Sequence, residues 1–180
     1  MKIMIASDIH GSALYCQKLC ELFTSAGAQK LILLGDILYH GPRNPLPQGY
    51  DPKGVCALLN PLKDQILCVR GNCDSEVDGM VLDFSVSSDS ALLFLNERTF
   101  FATHGHIFNE NNLPPLAKGG VLLHGHTHVP VYADRGGYLY INPGSVSVPK
   151  ENSPHSCIIL ENDRVCHCDL DGRVYMENKI

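Results

Sequence analysis

Short apolar runs alternate with an amphipathic segment in the first part of the chain. Three runs are brief, mostly apolar and ended by polar or glycine residues, as buried strands are: 2–7, 30–34 and 65–69. Between the first two, Ser12 is placed to cap a helix that continues to about Ala26 and stops at Gly27. This alternation predicts a parallel α/β half.

The pattern changes after the second run. Residues 39–52 are rich in Pro and Gly and predict a long loop, which in a compact domain is usually functional or mobile. A short helix is predicted over 55–62, although Pro61 weakens its end.

The second half reads as strands joined by short links, at 92–95, 98–103, 121–123, 138–141, 157–160 and 164–169. Short links favour antiparallel pairing. The simplest architecture is two packed sheets with helices outside. No internal repeat or linker interrupts the chain, so we expect residues 1–180 to form a single domain.

Composition narrows the function classes only slightly. The 180 residues are 44% hydrophobic and carry a formal net charge of −5, with no run of Lys or Arg. A polymeric nucleic acid is therefore not an expected partner. Bound cations would make a pocket locally positive, so the overall charge says little about what the pocket accepts.

Targeting and cysteine usage indicate a cytoplasmic protein. The first residues enter a strand at once, and no apolar stretch reaches the length of a membrane span, so neither a signal peptide nor a membrane partner is expected. The eight cysteines include no C-x-x-C pair, and several fall on apolar faces. Buried free thiols are therefore a better interpretation than disulfides or a zinc site.

Polar side chains with oxygen ligands follow each of the first three predicted strands. Asp8 and His10 follow the first, Asp36 the second and Asn72 the third. In open α/β sheets, the loops beyond the carboxyl ends of strands form the ligand crevice. Each residue alone could simply belong to a turn, but their recurrence at successive strand ends predicts a shared site.

Histidines follow two strands of the second half. His104 comes after 98–103, and His126 and His128 come after 121–123, spaced so that both point to one side of an extended segment. One such histidine is more often a packing residue. Carboxylate, amide and imidazole donors together predict a pair of divalent metal ions. Such pairs catalyse displacement reactions at phosphorus.

The order of these motifs resembles the calcineurin-like metallophosphoesterase superfamily. The motifs are Asp8-Ile9-His10, Gly35-Asp36, Gly71-Asn72-Cys73-Asp74, Thr103-His104-Gly105-His106 and Gly125-His126-Thr127-His128. Within it, the segments 35–44, 70–78 and 142–150 are similar to small bacterial phosphodiesterases of the YfcE type. The resemblance implies a four-layer αββα sandwich of two mixed sheets with flanking helices.

The resemblance also implies a ligand set and a reaction. Two divalent ions are expected, Mn²⁺ foremost, with Zn²⁺, Fe²⁺ and Ni²⁺ as alternatives. Asp36 would bridge them. The first ion would be held by Asp8, His10, Asp36 and His128, and the second by Asp36, Asn72, His104 and His126. The implied activity is hydrolysis of a small phosphodiester by a hydroxide that the two ions activate.

One position departs from the superfamily pattern. Many members carry a histidine after the asparagine, where it protonates the leaving group, and here Cys73 takes its place. A thiol has an ordinary pKa of about 8.5 and forms weak hydrogen bonds. Cys73, the adjacent Asp74 and His106 are the catalytic candidates, with His106 either supplying the proton or orienting a ligand. On the 39–52 loop, His40 and Arg43 are candidates for binding substrate.

Two other functions remain open. A phosphomonoesterase or nucleotidase of the same superfamily would use the same ligands, and the 39–52 loop would decide between them. A catalytically silent interaction module, like the Vps29 subunit of retromer, would be expected to have lost ligands, whereas every ligand position here keeps a competent residue. Leu46 and Tyr50 could serve a partner surface, so a homo-oligomer is possible.

Overall fold

The structure, a computed structural model, describes residues 1–180 as two β-sheets and two α-helices. The strands are β1 Lys2–Ala6, β2 Lys30–Leu33, β3 Ile66–Cys68, β4 Ser90–Leu95, β5 Arg98–Thr103, β6 Val121–Leu123, β7 Pro130–Asp134, β8 Leu139–Pro143, β9 Ser156–Glu161, β10 Arg164–Asp169 and β11 Val174–Lys179. The helices are α1 Ala13–Ser25 and α2 Pro52–Leu59, with short 3-10 segments at Asn60–Gln65 and Asp78–Met80. No helix is long and apolar enough to cross a membrane.

The first sheet has six strands in the order β11-β10-β9-β1-β2-β3. Strands β1, β2 and β3 run parallel, as the strand–helix alternation predicts, and β9 joins β1 in the antiparallel direction. Both α-helices cover one face of this sheet. Helix α1 begins at Ser12, whose hydroxyl accepts a hydrogen bond from the Tyr15 amide, and buries Cys16, Leu19 and Phe23.

The second sheet has five strands in the order β4-β5-β6-β8-β7. Antiparallel pairing was predicted throughout this half, and it is wrong for two of its four pairs, because β5–β6 and β6–β8 are parallel. Parallel neighbours need a connection that crosses back along the sheet, and the segments 104–120 and 124–138 are long enough to provide it. The expectation of short links throughout this half therefore fails at these two connections.

The sequence pattern missed two strands. Strand β7 begins with Pro130 and is only half buried, so it lacks the apolar signal of a core strand. Strand β11 is mostly exposed and forms an edge of the first sheet. Helix α2 starts at Pro52, capped by the Asp51 side chain, three residues before the predicted start.

The inner faces of the two sheets form a shared apolar core. Buried side chains from both sheets meet there, among them Ile5, Ile32, Phe100, Leu123 and Ile141. A second core joins the helices to the outer face of the first sheet, through residues such as Leu19, Leu33 and Val55. The predicted sandwich of two mixed sheets is confirmed, and its α-helices lie outside the first sheet. This packing fixes the strand ends that carry the candidate ligands.

Candidate metal centre

All seven predicted ligands converge at one edge of the two sheets. Each lies in the loop just beyond a strand: Asp8 and His10 after β1, Asp36 after β2, Asn72 after β3, His104 after β5, and His126 and His128 after β6. The structure brings them together across both sheets, within the hydrogen-bond and ion-pair distances given below. Most of their side chains are fully buried or nearly so.

Backbone strain is concentrated in these loops. Five of the seven residues have positive φ: Asp8 at 59°, His10 at 48°, Asp36 at 56°, His126 at 66° and His128 at 63°. Residues other than glycine rarely adopt this left-handed backbone conformation. Such strain persists only where the surrounding structure holds it. Backbone hydrogen bonds provide that hold, since the amides of Asp8 and His10 donate to the carbonyls of Gly35 and Asp36.

The first group of donor atoms is formed by Asp8, His10 and His128. The Asp8 Oδ1 atom lies 3.5 Å from His10 Nε2 and 3.3 Å from His128 Nε2. The two Nε2 atoms are 3.3 Å apart. Asp8 Oδ1 is buried and forms no hydrogen bond. Three electron-rich atoms therefore face one another across a small buried space.

The second group surrounds His104. Its Nε2 atom lies 3.0 Å from Asn72 Oδ1 and 3.1 Å from His126 Nδ1. Asp36 joins the two groups, because its Oδ2 atom lies 3.4 Å from His104 Nε2 and 3.6 Å from His10 Nε2. This is the place that a bridging carboxylate would occupy.

Main-chain carbonyls orient three of the imidazoles. His10 Nδ1 lies 2.8 Å from the Tyr39 oxygen, His104 Nδ1 2.6 Å from the Leu34 oxygen and His128 Nδ1 2.7 Å from the Val148 oxygen. A carbonyl can only accept a hydrogen bond, so each Nδ1 must carry the hydrogen and donate it. In the neutral rings, each Nε2 then presents a lone pair to the centre, as metal-ligating histidines do.

These residues fit a pair of divalent cations. Lone pairs that face one another at 3.3 Å, beside an unpartnered carboxylate oxygen, repel unless a proton or a cation lies between them. Imidazole, carboxylate and amide donors suit ions such as Mn²⁺, Zn²⁺, Fe²⁺ or Ni²⁺. The chain thus has a candidate metal site, and the two donor groups that share Asp36 are the residues that would hold two ions.

The pKa shifts differ between the donors, since positive charge is favoured at His104 and disfavoured at His126. Burial alone would lower the pKa of His104, but Asp36 and Asp8 outweigh it and raise this pKa to about 9. Burial would raise the pKa of Asp8, but the neighbouring imidazoles of His10, His128 and His104 hold it well below its ordinary value. Burial, with His104 nearby, lowers the pKa of His126 to about 4. Protons and metal ions therefore compete for the same electron pairs.

The carboxylate of Asp74 faces the main chain of two ligand loops. Its carboxylate accepts hydrogen bonds from the amides of Asp36 at 2.8 Å, Ile37 at 2.8 Å and Gly71 at 2.7 Å. Both oxygens are thus committed to the main chain, and neither belongs to the donor groups above. Asp74 ties the loop after β2 to the loop after β3. These contacts suit a residue that positions Asp36, and a catalytic role for Asp74 stays a prediction.

Two glycines permit this close packing of the loops. A Cβ added at Gly71 would lie 2.1 Å from Asp36 Oδ1, and one added at Gly125 would lie 1.9 Å from Ser7 Oγ. Neither position has room for any side chain. The glycines that flank the ligands in the sequence therefore allow the backbone to pass directly against the neighbouring loops.

The end of β8 and the loop that follows it also support the centre, although they supply none of the predicted ligands. The Asn142 amide donates to the Gly125 carbonyl at 2.9 Å and to Thr127 Oγ1 at 3.0 Å, which fixes the turn that carries His126 and His128. The Ser145 hydroxyl donates to the Asp8 carbonyl at 2.9 Å. The Asn-Pro-Gly-Ser sequence at 142–145 was the signal for this support.

Cys73 and His106 lie beside the donor groups. Cys73 Sγ is within 4.8 Å of donor atoms of His10 and Asp36. Burial, reinforced by Asp36, raises the pKa of Cys73 to about 12, so the thiol keeps its proton at neutral pH. The ring centroid of His106 is 5.4 Å from that of His104 and 6.3 Å from that of His126. It makes no hydrogen bond to a ligand, so the structure gives its orienting role no support.

The candidates on the 39–52 loop are not part of the donor groups. Arg43 is exposed and forms neither a hydrogen bond nor an ion pair within the chain. The His40 ring packs edge-on against Tyr39 and Tyr50, with centroid distances of 4.8 and 5.3 Å. Between them Gly41 lies close over Cys73, which brings the loop to the edge of the centre. Substrate binding by His40 and Arg43 stays a prediction.

Comparison with known proteins agrees with this geometry. Residues 1–164 match the calcineurin-like phosphoesterase superfamily domain. The chain is 50% identical over 163 residues to the phosphodiesterase YfcE of Escherichia coli, covering 91% of this chain and 89% of that protein. A solved structure of the E. coli phosphoesterase Yfce superimposes with a TM-score of 0.96 and 46% identity over the whole of both chains.

Two further proteins share less sequence identity with this chain. The phosphodiesterase MJ0936 of Methanocaldococcus jannaschii is 27% identical over 153 residues, covering 80% of this chain and 83% of that protein. A structure of Vps29 from Entamoeba histolytica in complex with zinc superimposes with a TM-score of 0.62 and 18% identity, over 99% of each chain. That second likeness shows the fold alone.

The contacts of Asp74 predict a loss of stability and of metal affinity together. In Asp74→Asn, an amide group would face backbone N–H donors that the carboxylate now satisfies. We expect the free energy of unfolding to fall by about 2–3 kcal/mol, measured by urea denaturation, and metal binding to weaken. Asp78→Asn is the matched control, since Asp78 accepts one exposed hydrogen bond from the Ser75 amide in the same loop. Equal losses in the two variants would contradict this role for Asp74.

The raised pKa of His104 predicts the pH dependence of metal binding. At pH 7 the metal-free protein holds a proton on His104, and a metal ion must displace it. The apparent association constant for Mn²⁺ should therefore rise between pH 7 and pH 9, by up to about tenfold per pH unit for each proton displaced, and level off above that. Competition with a fluorescent chelator measures this. A constant that does not change with pH would contradict it.

Proposed function

Because the chain belongs to the calcineurin-like phosphoesterase superfamily, we propose that it hydrolyses small phosphodiesters with two divalent metal ions, Mn²⁺ foremost. The 50% identity to the E. coli phosphodiesterase supports the diester as substrate. The absence of a basic run, with a net charge of −5, supports a small molecule over a nucleic-acid polymer. We further propose that residues 1–180 act as one domain.

One observation carries this proposal. Asp36 Oδ2 lies between His10 Nε2 and His104 Nε2, at 3.6 and 3.4 Å, and thereby links two groups of inward-facing donor atoms. A site for one ion needs a single group of donors. Two groups that share a carboxylate are what a pair of ions requires, and such pairs serve displacement at phosphorus.

The chain's own residues prepare the reaction. When bound, the two ions would neutralise charge on the phosphate oxygens and lower the pKa of the attacking water. The carbonyls of Tyr39, Leu34 and Val148 hold three imidazoles in the required tautomer, so little reorganisation is needed on binding. Asp74 and Ser145 hold the strained loops that present Asp36 and Asp8.

Proton delivery to the leaving oxygen is the weaker part of the site. Cys73 is protonated at neutral pH, but a thiol whose pKa is about 12 gives up its proton reluctantly. His106, whose ring centroid is 5.4 Å from that of His104, is the alternative acid. This arrangement favours esters whose leaving group departs without a proton, such as aryl esters.

Metal reconstitution tests the proposal. Protein stripped of metal should not hydrolyse bis(p-nitrophenyl) phosphate, and Mn²⁺ should restore turnover to a greater extent than Mg²⁺, with Zn²⁺ and Ni²⁺ tried in parallel. The matching monoester, p-nitrophenyl phosphate, should be the poorer substrate. Faster hydrolysis of the monoester would favour a phosphomonoesterase. No hydrolysis of either ester with any of these metals, although metal is bound, would favour an interaction module.

The bridging position of Asp36 can be tested in the same assay. Asp36→Asn removes one anionic oxygen from both donor groups, so we expect metal occupancy and diester hydrolysis to fall together. The loss should exceed the roughly 10–100-fold that removal of an outer partner of a metal ligand costs. Asp64→Asn is the matched control, because Asp64 is exposed and belongs to neither donor group. Near-normal turnover of Asp36→Asn with metal bound would overturn the assignment.

A further inference from the structure

A cavity of about 290 Å³ is formed against the segment that carries Asn72, and none of the residues named so far as ligands or catalytic candidates lines it. Its lining includes Arg70, which precedes Gly71 and Asn72, and Ser75, which follows Asp74. The chain that carries ligands therefore also forms one wall of the cavity. The opposite wall comes from residues 84–87.

Arg70 connects this cavity to two of the ligand loops. Its amide donates to the Ser88 carbonyl at 2.8 Å, and its Nε lies 3.6 Å from Asp89 Oδ1. The carbonyl of Asp89 in turn accepts a hydrogen bond from Thr103, the residue before His104. Arg70 thus lies between the loop of Asn72 and the loop of His104. Its guanidinium is half exposed and makes no hydrogen bond within the chain, so its terminal N–H groups are available.

Most of the lining surface of the cavity is apolar, and its polar groups are balanced in charge. Arg70 and Glu76 are its two charged residues, and the Glu76 carboxylate forms no hydrogen bond or ion pair within the chain. The hydroxyls of Ser85 and Ser87 are exposed and form a hydrogen bond to each other at 3.1 Å. The half-buried ring of Phe84 provides an apolar surface between them and the core.

This combination indicates the chemistry of the group that would bind. An anionic group would meet Glu76 as well as Arg70, and a purely apolar group would offer neither of these charged side chains a hydrogen bond. A neutral group with several hydroxyls would satisfy all of them, since hydroxyls both donate and accept, and its apolar face would rest on Phe84. The volume is at the lower end of the range for ligand pockets, which suits one sugar-sized group.

We propose that this cavity is the subsite for one ester group of the substrate, and that it selects a sugar-sized polyhydroxyl group such as the ribose of a nucleoside. This inference rests on the proposed phosphodiesterase function. The ester group in the cavity is the one retained on phosphorus, while the other ester oxygen leaves from the metal centre. Arg70, Ser85 and Ser87 are then specificity-determining residues.

Two substrates with the same leaving group isolate this subsite. Methyl p-nitrophenyl phosphate and uridine 5′-(p-nitrophenyl phosphate) both release p-nitrophenol, so they differ only in the retained ester group. With the Mn²⁺-loaded protein, we expect kcat/KM to be at least about tenfold higher for the uridine ester, mainly through a lower KM. Equal values of kcat/KM for the two esters would overturn the proposal.

Variants of the lining connect the preference to named residues. Ser87→Ala should reduce the ratio of the two kcat/KM values about fivefold, and Phe84→Leu should reduce it while keeping an apolar residue against the core. Ser88→Ala is the matched control, because Ser88 is an exposed neighbour whose side chain makes no hydrogen bond and does not line the cavity. A ratio that falls as much in Ser88→Ala as in Ser87→Ala would overturn the assignment.

A binding measurement separates this proposal from the proposed function. Uridine alone, added to the Mg²⁺-loaded protein, should shift backbone amide resonances of residues 70–76 and 84–87, with weaker shifts in Ser87→Ala. Such shifts support the subsite even if neither ester is hydrolysed, in which case the phosphodiesterase proposal alone fails. Hydrolysis of both esters at equal efficiency, with no shifts from uridine, overturns the subsite and leaves the function intact.

Discussion

Repulsion among buried, electron-rich atoms is the constraint on which this structure depends. His10 and His128 direct their Nε2 atoms at each other from 3.3 Å, and Asp8 Oδ1 faces both without a hydrogen-bond partner. Carbonyls hold the Nδ1 hydrogens on the far side of each ring, so the rings cannot relieve the crowding by changing tautomer. Only a proton or a cation in the space between them can do so, and the raised pKa values of His10 and His104 show that protons are attracted there.

Much of the surrounding fold serves to maintain this unfavourable arrangement. Five of the seven donor residues have a left-handed backbone, which costs free energy at each position. Asp74 offsets part of that cost by binding three main-chain amides of two loops, and Asn142 and Ser145 fix the loops from the second sheet. The apolar core between the sheets keeps the strand ends in register. Rigid loops hold the donors at spacings that suit metal ions before any ion arrives.

The sequence allowed the chemistry to be predicted further than the topology. Asp8, Asp36 and Asn72 each follow a strand with a clear apolar signal, and the carboxyl ends of parallel strands meet at one edge, so their convergence could be expected. Strands β7 and β11 were missed because one is half buried and the other lies at an exposed edge. The parallel pairs of the second sheet were missed because the crossing segment 104–120 contains no regular element and the other, 124–138, contains the unrecognised strand β7. The role of Asp74 could not be predicted either, since its partners are main-chain amides that a sequence does not distinguish.

The most direct test is the location of bound metal. Crystals of metal-stripped protein soaked with Mn²⁺ would be measured at the manganese absorption edge. We expect two anomalous peaks flanking the Asp36 carboxylate, one beside Asp8, His10 and His128 and the other beside Asn72, His104 and His126. A single peak away from Asp36, or none at this edge of the sheets under conditions where Mn²⁺ supports turnover, would contradict it.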